Sequence, residues 1–166
     1  MKNLFILSIF IMGMQIRSVH AAPIKVVTTT EDLAAIAREI GGDRVRVDFI
    51  AKGVQDPHFI EAKPSYMLKL SRAHLFVQVG LGLEVGWVPS LLMGARNTRI
   101  INGGESYVDA SEGIELMGIP FGPIDRSAGD VHGQGNPHYW LDPINGKKIA
   151  LNIAAGLKRI DPEEKA

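Results

Sequence analysis

The 166-residue chain contains no cysteine, which removes disulfides, thiolate chemistry, cysteine-based zinc sites and any lipid anchor attached through that side chain. It lacks a surplus of either charge as well: 18 basic residues face 18 acidic ones, and two of the basic ones, Lys2 and Arg17, fall in the first 21 positions. A nucleic-acid partner, which asks for a basic face, is not expected. Nor does any apolar run reach the roughly 20 residues needed to span a membrane. The longest, Leu4 to Met14, is broken by Ser8 and Gly13. It follows a positive start at Lys2 and precedes Val19-His20-Ala21, which puts small residues at the −3 and −1 positions of a cleavage site. Residues 1–21 therefore read as a secretory signal peptide cleaved after Ala21, and the remainder as a soluble protein of an exported compartment, best matched by a Gram-negative periplasm.

What remains is 46% hydrophobic and 22% charged over the whole chain, enough for one globular core and too short for two full domains. Ile24–Thr30 is a β-branched run, followed by helical spacing of Leu33, Ile36, Ala37 and Ile40 up to Gly41-Gly42. Arg44–Ala51 alternates as a second strand, Pro64 opens a helix packing Met67, Leu68 and Leu70 inward, and His74–Gly80 is apolar enough for a buried third strand. A helix over Glu84–Ala95 interrupted by Pro89 and a fourth strand over Thr98–Asn102 are expected next. Glu105–Gln134 reads as a long surface region with one candidate strand, Ile114–Ile119, and Asn145–Ile160 returns to helical periodicity. This alternation predicts an α/β fold with a mostly parallel sheet flanked by helices. Asp161-Pro162-Glu163-Glu164 has the form of an N-cap, a first-turn proline and two dipole-facing acids, so a further helix is expected to begin at residues 161–166.

Two loops share one local design. Gln55–Phe59 reads QDPHF and Gly135–Tyr139 reads GNPHY: a short polar side chain, proline, histidine, aromatic. Proline restricts its own φ and the residue before it, so each histidine leaves a loop whose backbone entropy is already reduced. Metal coordination rewards such preorganisation, and Asp56 or Asn136 is placed to orient an imidazole. Ordinary buried or capping histidines remain an alternative on residue type alone. Two imidazoles also fall short of a zinc shell, for which His132 and Asp142 are the local candidates. His132 lies in a glycine-rich stretch and reads as a solvated loop residue; Asp142, before Pro143, reads as a helix N-cap. His74 reads as a structural histidine at a strand start. The glycines of VGLGLEVGW miss the dinucleotide-binding spacing, and no GxSxG or HExxH sequence occurs.

The segment DPHFIEAKPSYMLKLSRAHLFVQVGLGLEVGW, Asp56 to Trp87, closely resembles the signature of the metal-binding solute receptors of zinc and manganese ABC importers: DPH, then PS, an apolar strand, GLxLE and tryptophan. NPHYWLDP, Asn136 to Pro143, is similar to the same family's second-ligand segment. The resemblance implies two α/β lobes joined by a long helix, with the metal between them and His58 and His138 as its ligands from the first lobe. It implies a leader at 1–21, a metal-binding lobe at 22–160 and the start of the linking helix at 161–166, with the second lobe and its ligands absent. The implied function is capture of a divalent transition metal, zinc or alternatively manganese or iron, by a monomer that passes it to a cognate permease, without catalysis. Two other classes stand beside it: a zinc-dependent hydrolase, which would need a general base near the metal, and a surface adhesin, for which no repeat or stalk is present.

Overall fold

A computed structural model of the chain describes residues 22–121 and 132–161. The proposed leader and most of the expected helix at 161–166 lie outside these residues. Four strands, β1 (Ile24–Thr30), β2 (Val45–Ala51), β3 (Leu75–Gln78) and β4 (Tyr107–Asp109), form one sheet in the order β2-β1-β3-β4. Every pairing is parallel, as the alternation of strand and helix patterns predicts. Among the described residues, four α-helices flank it: α1 (Glu31–Gly41), α2 (Pro64–Ser71), α3 (Val88–Ala95) and α4 (Pro143–Ile160).

Strands β1, β3 and β4 are buried on both faces over most of their length, so successive residues feed two separate cores, while the edge strand β2 is partly exposed. Val26 of β1, Leu75 and Val77 of β3, and Val108 of β4 point into one core with Leu33 and Ala37 of α1 and Ile149, Ile153 and Leu157 of α4. Val27, Phe76 and Tyr107, their neighbours in sequence, point into the other with Leu70 of α2 and Leu91 of α3. The result is a helix–sheet–helix sandwich. The chain goes from β1 to β2 on one side and then returns across β1 to β3 on the other, and the crevice at the carboxyl ends of such a switch is where open α/β sheets bind ligands.

Three expected boundaries differ. Residues 81–87 form turns rather than helix, and α3 starts only at Val88 with Pro89 in its first turn, where proline's missing N–H costs nothing. The expected strand at Thr98–Asn102 is a 3₁₀ turn over Thr98–Ile100. Asn97 causes it: its side-chain oxygen accepts from Arg99 N at 3.1 Å, while its amide donates to the carbonyls of Leu70 and Ala73, both at 2.9 Å. That pins the turn to the end of α2 and buries Ile100. The fourth strand is instead the short Tyr107–Asp109, inside the region expected to be surface, and no strand forms at Ile114–Ile119. In α2, Leu70 is buried but Leu68 is exposed, against expectation. Asp161 closes α4 and binds Arg44 at 2.5 Å.

His74 is structural, as expected: its Nδ1 accepts from Lys25 N at 3.2 Å, joining β3 to β1, and burial, followed by Arg99 and Lys25, lowers its pKa. A lowered folded value means the unfolded chain takes up the proton first. The stability is complete above about 6.5 and is lost as pH falls through that value. Denaturant titrations at falling pH should therefore show wild type weakening between pH 7 and 5, and His74→Gln, which keeps an acceptor but cannot titrate, weakening less. At Gly156 a Cβ would meet Val108 Cγ2 at 2.3 Å. Gly156→Ala should cost about 1–3 kcal/mol despite alanine's better helix propensity, because stiff valine cannot retreat. Thermal melts of Gly156→Ala alone and with Val108→Ala, which should recover most of the loss, measure this.

Candidate metal centre

The carboxyl end of β3 organises everything above the switch point. Glu84 is 2% exposed, yet its carboxylate is fully engaged: Oε1 accepts from Val79 N at 2.7 Å and Oε2 from Gly80 N at 3.0 Å. Burial raises its pKa, opposed by the hydrogen bonds from Thr29 and these amides. The backbone between them runs through Gly80 at φ 84°, Leu81 at 52° and Gly82 at 80°, a left-handed passage that glycine accommodates. Gly80 has a second reason, since a Cβ there would lie 2.1 Å from Asp109 Oδ1. The Glu84 carbonyl in turn accepts from Trp87 N and Val88 N, which starts α3 and fixes the indole.

From this turn two hydrogen bonds reach the two proline–histidine loops. The buried Trp87 donates its indole N–H to Pro57 O at 2.8 Å, and the buried Tyr139 donates its hydroxyl to Val79 O at 2.6 Å. Burial, with Asp109 and Glu84 nearby, pushes the Tyr139 pKa far up, so it stays a donor. His58 and His138 are each one residue from such an anchor.

The two loops then repeat one arrangement. Asp56 Oδ1 accepts from His58 N at 2.9 Å and lies 2.7 Å from His58 Nδ1; Asn136 Oδ1 accepts from His138 N at 3.0 Å and lies 2.8 Å from His138 Nδ1. A side-chain oxygen only accepts, so Nδ1 carries the proton in each neutral ring and Nε2 keeps its lone pair. Hydrogen bonds from His58 lower the pKa of Asp56, the backbone bond foremost. The equivalence of Asp56 and Asn136 expected from the sequence is thus one oxygen serving the same two donors. The aromatic residues that follow do not play equal parts: Phe59 is exposed and Tyr139 is an anchor, while Trp140 flanks His138 with ring centres 5.4 Å apart.

His58 and His138 lie with ring centres 5.2 Å apart, tilted at 47°. Two imidazoles bound through Nε2 to one tetrahedral cation at ~2.05 Å would have ring centres about 5.2 Å apart. The third histidine nearby is the one the sequence placed in solvent. His132 is half-buried, its ring centre 5.0 Å from that of His58 and 6.1 Å from that of His138, and its Nε2 is 3.0 Å from His58 Nε2. Its only sequence signal is its place six residues ahead of His138. Among the described residues no three His, Asp or Glu side chains are already arranged to hold a metal ion. Asp142, the other candidate, takes no part: it caps α4 by accepting from Ile144 N at 2.9 Å. An open hollow of about 530 Å³ adjoins the histidines, walled by Phe59, Leu83, Val85 and Trp87.

Residues 26–166 match the sequence pattern of the family described as zinc-uptake complex component A, periplasmic. The chain belongs to that family. Over 145 residues it is 34% identical to the manganese ABC transporter substrate-binding lipoprotein PsaA of Streptococcus pneumoniae, covering 86% of this chain and 43% of that protein. Its fold is similar to the crystal structure of ZnuA (TM-score 0.68, 28% identity, 87% of this chain and 49% of that one). It is similar too to the metal-dependent lipoprotein YcdH of Bacillus subtilis (TM-score 0.64, 30% identity, 86% and 46%). The chain therefore spans a little under half the length of these relatives. PsaA is by its name the substrate-binding lipoprotein of an ABC transporter, a binding protein rather than an enzyme, in agreement with the sequence reading. Among the described residues no helix is long and apolar enough to cross a membrane.

Tyr139→Phe removes the hydroxyl and leaves the buried Val79 carbonyl without that donor. A loss of about 1–3 kcal/mol in urea unfolding is expected, with no volume change in the core to account for it.

Proposed function

We propose that this chain is the metal-capturing lobe of an exported substrate-binding protein, and that His58 and His138 bind a divalent transition metal as cargo for a membrane permease. The observation that carries this reading is the pair of imidazoles held through Nδ1 by Asp56 and Asn136, with ring centres 5.2 Å apart. Nothing in such an arrangement acts on the ion chemically. The lobe holds the imidazoles at fixed separation, so little loop entropy is lost when the metal binds.

Zinc is the metal we assign. Imidazole nitrogen suits it, and at an equal nitrogen site zinc binds more tightly than manganese or iron(II). Manganese is the second reading, favoured by the PsaA relative, whose name specifies that metal. The proposed organisation is a leader at 1–21, the lobe at 22–160 and a helix opening at 161–166. Release into the periplasm as a soluble monomer fits a chain without cysteine, even though PsaA and YcdH are lipoproteins. With two imidazoles and water completing the shell, binding by these 166 residues is expected to be much weaker than in a receptor with four protein ligands.

Both tryptophans, Trp87 and Trp140, lie beside the site, so their fluorescence reports on it. Titration of the chain with zinc should perturb that fluorescence. His58→Ala and His138→Ala should each weaken binding by at least about tenfold while leaving the circular dichroism spectrum unchanged. Zinc affinity unaltered in both variants overturns the proposal, and tighter manganese than zinc binding by wild type transfers it to the second reading.

A further inference from the structure

Of the three imidazoles, His132 is the one with no place in the proline–histidine design. It stands at the head of a tight turn, its carbonyl accepting from Gly135 N at 3.1 Å, and Asn136 N is tied to Met117 O at 2.7 Å. Gly135 has φ 105° and its Cβ position lies 3.0 Å from Met117 O, so the turn presses closely on the 116–119 segment. His132 and His138 thus rise from one strap whose middle is fastened to the body of the lobe. The strap sets the His132 ring against His58 at an interplanar angle of 30°.

We propose that His132 is a third metal ligand, joining His58 and His138 on the same cation from the same lobe and tilting the site towards zinc over manganese. The inference rests on the reading of His58 and His138 as ligands. It starts from their Nε2 geometry. His58 Nδ1–H donates to Asp56 Oδ1, so in the neutral ring Nε2 is an acceptor, and the 3.0 Å contact is closed by a proton on His132 Nε2. A divalent cation can take that proton's place when His132 changes tautomer, the proton leaving Nε2 for water and Nδ1 taking one up, so that the ring stays neutral. Two nitrogens on one tetrahedral zinc at ~2.05 Å are separated by about 3.3 Å, so the two Nε2 atoms need to part by only a few tenths of an ångström.

The ring spacing agrees with this. The centres of His58, His132 and His138 are 5.0, 5.2 and 6.1 Å apart pairwise, against about 5.2 Å for three imidazoles on one tetrahedral ion. Only the His132–His138 separation is too wide, by about an ångström, with the rings edge-on at 76°; this is why the three do not yet form a finished cage. Binding of all three rings to one cation therefore requires the His132 ring to swing towards His138 by about that ångström, with His58 and His138 held by Asp56 and Asn136. Three neutral nitrogens and one open position favour zinc or cobalt over manganese, which takes oxygen ligands more readily.

The test compares wild type, His132→Ala, His132→Gln, His58→Ala and His138→Ala in the 166-residue chain. Zinc and manganese affinities are measured by competition with a fluorescent chelator, and the ligand field by the visible spectrum of the cobalt-loaded chain. Zinc affinity should fall at least about tenfold in both His132 variants, manganese affinity should change less, and the cobalt absorption should weaken and shift. Melting of the metal-free variants within a few degrees of wild type shows that the fold is retained, and His132→Gln serves where His132→Ala does not fold. Zinc affinity within twofold of wild type and an unchanged cobalt spectrum in the His132 variants, with binding still lost in His58→Ala and His138→Ala, overturns the third-ligand proposal and leaves the metal-receptor reading standing. Full zinc affinity in all four variants overturns both.

Discussion

A single buried carboxylate holds the functional end of this lobe together. Glu84 ties off Val79 N and Gly80 N at the point where the chain leaves the sheet, and its own carbonyl caps the first amides of α3. Without it Gly80 N would lose its carboxylate partner and Val79 N would keep only the longer bond to Thr29 Oγ1 at 3.3 Å, and an unpaired backbone N–H at that depth costs about 1–3 kcal/mol, which offsets the carboxylate's desolvation. The same turn presents Trp87 to the first histidine loop, and the Val79 carbonyl receives Tyr139 from the second. Loops from distant parts of the sequence are thereby referred to one rigid strand end.

The parallel sheet explains why that point is available. Its strands feed two cores on opposite faces, so the strand-to-helix loops gather at the carboxyl edge without covering the sheet. At the switch between β1 and β3 the neighbouring crossovers diverge, and the gap is filled by the left-handed turn at 80–82 and the histidine loops. Loops carry the proposed ligands, while strands and buried polar contacts keep those loops from wandering. Membership of a family of metal-transporter substrate-binding proteins is in keeping with a site built this way.

Much of this was legible in the sequence because it is written in local chemistry. Strand β1 and helix α1 follow from a β-branched run and 3.6-residue spacing, and the two Asx-Pro-His steps announce themselves because each oxygen, proline and imidazole act within three residues. Asp142 as a cap was readable for the same reason. Two of the misreadings involve partners far away in the chain. Thr98–Ile100 turns instead of extending because Asn97 finds carbonyls some 25 residues back, and Tyr107–Asp109 becomes a strand only because β3 offers it an open edge.

His132 marks the boundary most clearly. By itself the sequence determined the α/β alternation, the preorganised His58 and His138 and the absence of any thiolate ligand, since each depends on residue type and short-range backbone restriction. The tertiary structure alone decided that an imidazole from a glycine-rich stretch comes to rest 3.0 Å from one that lies 74 residues earlier. No local pattern encodes that distance; it results from packing the strap against 116–119 and the first loop against Trp87, two long-range constraints that meet only after folding.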